Sequence, residues 1–172
     1  MGERRAVLRH AGGMRFEADT GTGRTIVFGD EAEAGELSPV ETLAAGLAAC
    51  TGMDVVSILV KKRLKIESYT VTVEANQRDD YPQVFTRVDL IHELVGPRVT
   101  EAALRRCIEL SATRYCPISA MLSAGATEIH HRYRIRRTGP EPLEAEGEVI
   151  VTGPYRRPDA LPETEIASGP QT

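Results

Sequence analysis

The sequence predicts one domain that mixes short strands with helices, followed by a compositionally distinct tail. Three observations carry this. Residues 66–77 alternate, with Tyr69, Val71 and Val73 set against Thr70, Thr72 and Glu74, as a half-buried strand does. Ser38-Pro39-Val40-Glu41 opens a long run of alanine, glycine and aliphatic residues and has the composition of a capped helix start. Six of the ten prolines fall between Pro140 and Pro170, beyond the last alternating segment.

The 172 residues suffice for one domain with a real core, and 41% hydrophobic content fits a globular chain. A formal net charge of −4 argues against general nucleic-acid binding. The charge is uneven. Residues 139–172 hold seven Asp or Glu and two Arg, which leaves residues 1–138 near neutrality. The start, MGERRAVLRHAGG, lacks the apolar core of a signal peptide, and three cysteines is an odd count. A reducing, cytoplasmic location is therefore expected, where cysteines tend to be catalytic, redox-active or metal-bound rather than staples. The Cys and His spacings match no zinc pattern, so neither metal nor cofactor is expected. Residues 43–60 approach a membrane span in length, but Asp54, four alanines and two glycines point to a buried helix, with no membrane association.

In chain order, residues 5–10, 13–20 and 24–29 read as short strands separated by Gly12-Gly13 and by Gly21 and Gly23. The long helix should run from Pro39 to about residue 62 or 63, with Lys61, Lys62 and Arg63 complementing its negative end. Residues 66–77 and 84–94 form a hairpin across Asp79-Asp80-Tyr81-Pro82. Thr100 caps a helix to about residue 113 that places Leu104, Cys107, Ile108 and Ser111 on one face. Residues 117–123 form a short helix stopped by Gly125. Residues 127–137 form a strand with Ile129, His131, Tyr133 and Ile135 on one face. The tail, 139–172, is expected to be extended or disordered, with one added strand at GEVIVTG, residues 147–153.

Two cysteines carry the chemistry. Cys116 precedes Pro117, so it should cap the short helix, where free N–H groups stabilise a thiolate. Cys50, mid-helix among alanines, has the setting of a small core residue. Asp54 lies one turn on and about 40° around, on the same face as Cys50. A carboxylate raises a thiol pKa, so a reactive Cys50 needs a cation, for which Arg15, Arg24 and Arg114 are candidates. Cys107 faces with Leu104 and Ile108 and reads as core. His130 and His131 read as sheet residues, and Glu41 as a capping residue about half a turn away from Cys50.

Together, Ser-Pro-x-Glu, Ala-Ala-Cys, Asp-Val-Val-Ser-Ile-Leu and the downstream Tyr-Cys-Pro resemble the OsmC/Ohr family of thiol-dependent peroxidases, in particular its YhfA-like branch. The resemblance spans about residues 5–137, and makes residues 1–138 an OsmC-like domain. It implies an α+β fold in which two chains intertwine as a homodimer, with antiparallel sheets wrapped around long central helices. It places Cys50 at the peroxidatic position and Cys116 at the resolving position. It implies a small hydroperoxide substrate and a dithiol reductant such as a lipoyl group. Arg15 stands nearest the arginine that holds the thiolate in the peroxidase branches. There, arginine directly follows Gly-Gly, whereas here Met14 does and Arg15 comes one place later. Likewise Val40 takes the place of the glutamate of Asn-Pro-Glu, with Glu41 next to it. A second reading stays open: a non-catalytic member of the same fold that senses oxidation or binds a small apolar ligand. A third is a structural dimer with inert thiols.

Overall fold

A computed structural model describes residues 3–30, 35–125, 127–151 and 166–168. The chain divides into two compact units, Met1–Ala45 and Gly46–Thr172.

The first unit is a three-stranded antiparallel meander of β1 (Ala6–His10), β2 (Phe16–Thr20) and β3 (Thr25–Phe28). Its register pairs Leu8 with Ala18 and Ala18 with Ile26. The second strand starts at Phe16 and not at residue 13. Gly12 and Gly13 adopt φ of 103° and 55°, and Arg15 N–H donates to Gly12 O at 2.9 Å, so these residues make the turn. Phe28 also forms an isolated bridge with Leu37.

Helix α1 (Pro39–Lys61) begins where Pro39 was expected to begin it. Its fully buried residues, Leu47, Thr51, Val55 and Leu59, recur every fourth position and form one stripe. Outside that stripe Met53 is 73% exposed and Val60 59%, so the buried helix expected from composition is buried along one row only. By length and composition α1 would also pass as a membrane span. It ends at Lys61, and beyond it Arg63 takes the left-handed conformation with φ of 57° while Leu64 N–H closes back on Leu59 O.

The second unit also carries a five-stranded sheet in the order β4 (Ser68–Gln77), β5 (Phe85–Gly96), β6 (Glu128–Arg137), β7 (Leu143–Val151) and β8 (Ile166–Ser168). Strands β4 and β5 form the expected antiparallel hairpin. The sheet is not antiparallel throughout, because β5 and β6 pair parallel. The cause is the connection between them. It crosses over through α2 (Glu101–Leu110), a π-helical turn (Ser111–Tyr115) and α3 (Pro117–Ser123), a route that returns the chain in the same direction. Thr100 caps α2 as expected, accepting from Ala103 N–H at 3.2 Å. Strand β7 pairs antiparallel with β6 along nine residues and begins at Leu143, earlier than the strand expected at 147–153.

The core lies where one face of this sheet meets α1 and α2. Val55 and Leu59 pack with Leu94, Leu104, Cys107, Ile108, Tyr133 and Ile135. Both faces expected from periodicity are present: Leu104, Cys107, Ile108 and Ser111 are fully buried, and Ile129, His131, Tyr133 and Ile135 line the core side of β6. The rest of the 139–172 tail expectation falls largely outside the described residues.

Candidate functional site

The π turn shapes the site. Ser111–Tyr115 inserts a wider loop at the end of α2, closed by Cys116 N–H donating to Ser111 O at 2.9 Å. Pro117, which has no N–H, then starts α3 at its first position. The two ends of that π bond both turn side chains toward α1. Ser111 Oγ donates to Asp54 Oδ2 at 2.8 Å. Thr51 Oγ1 donates to Cys116 Sγ at 3.7 Å. Cys116 is the N-cap expected of it, in extended conformation, with its Sγ accepting from Ser119 N–H at 3.3 Å.

Cys50 arrives from α1. Its Sγ, the Cys116 Sγ and a carboxylate oxygen of Asp54 all lie within 4.8 Å of one another. Cys50 is half-buried and Cys116 buried, and both are free thiols. One turn of helix, the interval read from the sequence, therefore does bring Asp54 beside Cys50. Cys107 is fully buried, as expected of a core residue, and burial pushes its thiol up to about 11.

The surroundings of Cys50 oppose ionisation. Its pKa is pushed up to about 12, first by burial, then by the hydrogen bond and charge of Cys116 and finally by the Asp54 carboxylate. Among the described residues, the backbone N–H of Ile118, at the start of α3, acts the other way. Of the three candidate cations, Arg15 lies in the first unit and donates from Nη1 to Glu36 Oε1 at 2.9 Å. Arg114 lies on the π turn with its guanidinium 6.0 Å from the centre of the Tyr115 ring. Arg24 lies in the turn before β3, where its carbonyl accepts from Thr20.

Two features had no local signal in the sequence. Thr51 and Ser111 sit on apolar helix faces, and only the pairing of α1 with the π turn makes them thiol and carboxylate partners. The other feature is a polar line across three strands. Tyr69 Oη meets His92 Nδ1 at 2.7 Å, and His92 Nε2 meets His131 Nδ1 at 3.2 Å. Both histidines are fully buried, and burial lowers them to about 4 and about 3, so both are neutral at pH 7. The sequence assigned His131 to a sheet face correctly but gave no sign of its partner. Tyr69 also borders an open, mostly apolar groove of about 570 Å³ against α1, with Ala49, Gly52, Met53, Val56 and Val71.

Fold and site together define an α+β protein that carries a dithiol between a long helix and a π-turn-led helix N-terminus. Comparison with known proteins places that class. The family model for OsmC-like protein matches residues 30–132, and the chain belongs to the OsmC-like family. Protein YhfA of Escherichia coli K12 is 30% identical over 123 residues, which cover 72% of this chain and 91% of YhfA. A hypothetical protein from Aquifex aeolicus VF5 superposes with a TM-score of 0.70 at 25% identity, covering 80% of this chain and 98% of its own. An organic hydroperoxide resistance protein from Elizabethkingia anophelis shares the fold, with a TM-score of 0.58 at 19% identity over 80% of this chain and 98% of its own.

Proposed function

We propose that this chain reduces organic hydroperoxides through Cys50, with Cys116 as the resolving thiol. The observation that carries the reading is the convergence of the two Sγ atoms from distant parts of the sequence. In the first step the Cys50 thiolate attacks the peroxide O–O bond. The alkoxide leaves, takes up a proton and departs as an alcohol, and Cys50 becomes a sulfenic acid. In the second, the Cys116 sulfur attacks the Cys50 sulfur, a disulfide forms and water leaves. A dithiol reductant, of lipoyl type, exchanges with the disulfide and restores both thiols. Support for the substrate class comes from the hydroperoxide resistance proteins that share the fold. The active form in this reading is a cytoplasmic homodimer joined through the exposed apolar residues of α1. Arg15 is the proposed cation for the thiolate.

A second reading is favoured by one specific observation. The pKa of Cys50, near 12 in these surroundings, suits a thiol that oxidises slowly. The chain would then sense oxidation or bind a ligand without turning over. One experiment separates the two. Reduced protein is mixed with an alkyl hydroperoxide and, separately, with hydrogen peroxide, and thiol loss and disulfide formation are followed. The peroxidase reading expects one Cys50–Cys116 disulfide per peroxide, no consumption by Cys50→Ser, and a sulfenic acid trapped by dimedone in Cys116→Ser. Consumption that survives Cys50→Ser, or oxidation no faster than that of free cysteine, overturns it.

A further inference from the structure

We propose that Cys50, Asp54 and Cys116 form a binding site for one thiophilic divalent cation, with zinc as the best match. The inference uses the same side chains as the proposed peroxidase site but does not depend on that site turning over.

Geometry is the first argument. Zinc holds thiolate sulfur at about 2.3 Å and carboxylate oxygen at about 2.0 Å, and tetrahedral angles then separate the ligand atoms by about 3.5–3.8 Å. Here two sulfurs and a carboxylate oxygen already lie within 4.8 Å of one another. The remaining contraction is about 1 Å, the scale of a small side-chain rotation. Three protein ligands leave one position open, and Cys50 is half-buried, so solvent or a small ligand can complete the shell.

Chemistry is the second. Two sulfurs with one oxygen form a soft set that selects zinc over magnesium or calcium. Asp54 beside two thiols is hard to explain as support for a thiolate, because its charge repels one. Beside a dication the same carboxylate becomes an asset. Binding would release the two thiol protons to solvent and leave two thiolates and one carboxylate around a 2+ ion, a net charge of −1.

The outer contacts are the third. Metal-binding carboxylates are commonly held by a further hydrogen bond, and Ser111 Oγ donates to Asp54 Oδ2 at 2.8 Å. Metal-bound thiolates accept hydrogen bonds as well. Cys116 Sγ already accepts from Ser119 N–H at 3.3 Å and Thr51 Oγ1 at 3.7 Å. The sequence spacing hides this site, because its ligands come from two distant elements joined by packing.

The test uses reduced, full-length protein titrated anaerobically with Co²⁺ as a spectroscopic probe, followed by displacement with Zn²⁺. The expected result is one Co²⁺ per chain, with thiolate-to-cobalt charge-transfer bands and the visible bands of a four-coordinate ion, both abolished by one equivalent of Zn²⁺. Asp54→Asn should weaken Co²⁺ binding at least tenfold, and Cys50→Ser should at least halve the charge-transfer intensity. Cys107→Ser should change neither. The proposal is overturned if the wild-type protein develops no such bands, if Asp54→Asn binds as tightly as wild type, or if Cys107→Ser abolishes the spectrum. Circular dichroism of each variant confirms that it is folded. Metal-free protein that consumes peroxide yet binds no Co²⁺ sinks the cation site alone. Protein that binds Co²⁺ yet consumes no peroxide sinks the peroxidase alone.

Discussion

Replacing Asp54 with asparagine should make Cys50 more reactive, a result that runs against the usual effect of changing a residue beside a nucleophile. The carboxylate oxygen lies within 4.8 Å of the Cys50 sulfur. At that separation a unit charge is worth about 0.9 kcal/mol in bulk water and about 3 kcal/mol at an effective dielectric near 20. Cys50 is half-buried, so its environment falls between these limits. Asp54 is the smallest of the contributions that raise the Cys50 pKa, so removing its charge should lower that pKa by roughly 0.6 to 1 unit. Below the pKa, that multiplies the thiolate fraction by about four to ten. A less basic thiolate is also a weaker nucleophile, which cancels about half of the gain on a logarithmic scale. The net expectation is alkylation of Cys50 by iodoacetamide about two to three times faster in Asp54→Asn at pH 8, read peptide by peptide by mass spectrometry. Asparagine keeps a carbonyl oxygen for the Ser111 hydroxyl, so the fold near the π turn should hold. If Cys50 alkylation is unchanged or slower, the electrostatic account of this site is wrong.

The buried histidines make acid sensitivity calculable. Both are neutral when folded, with pKa values of about 4 for His92 and about 3 for His131, whereas an unfolded histidine titrates near 6.5. Above pH 6.5 neither affects stability. As pH falls below 6.5 the unfolded chain binds two protons that the native state refuses, so stability drops by up to roughly 2.7 kcal/mol per unit, or about 4 kcal/mol by pH 5. Urea midpoints at pH 7 and pH 5 test this in a window above carboxylate titration, and an unchanged midpoint would refute it. Met53 and Val60 are exposed apolar residues of α1, so Met53→Glu with Val60→Glu should convert a dimeric wild type to folded monomers in analytical ultracentrifugation. A wild type already monomeric at tens of micromolar, or a double variant that keeps the dimer mass, would remove α1 as the interface.

What the sequence makes legible here is local. The α2 face ending at Ser111 and the alternating face of β6 each follow from one period repeated along one segment. So does the Cys116 cap, because Pro117 fixes where a helix can begin. The parallel pairing of β5 with β6 is different in kind, since each strand has the same alternation whichever way its neighbour runs. Ser111 looked like one more member of an apolar face, and the hydroxyl that holds Asp54 shows only once the π turn is formed. His92 gave no signal at all. It stands on β5 in the buried alternating row of Val88, Leu90 and Leu94, and its partners come from the strands on either side. Residue type and period locate an element and its faces, while a site built from three elements depends on how they dock.

That distinction bears on the chemistry of Cys50. On α1 alone it is a small residue among alanines, and the fold places it beside a second thiol, a carboxylate and one backbone N–H. Of these, only the N–H favours a thiolate, and it does not offset burial. A peroxidase built on this dithiol therefore requires positive charge that Cys116, Asp54 and Ile118 do not provide. An arginine and a metal dication would supply it in different ways, and they leave opposite marks on Asp54. With an arginine serving the thiolate, Asp54 competes for that cation and its removal speeds the reaction with peroxide. With a bound dication, Asp54 is a ligand and its removal loosens the ion. Measuring the peroxide rate and the Co²⁺ affinity of the same Asp54→Asn protein thus assigns the carboxylate: a lost Co²⁺ affinity marks a ligand, and a faster peroxide reaction at unchanged Co²⁺ affinity marks a charge that only opposes the thiolate.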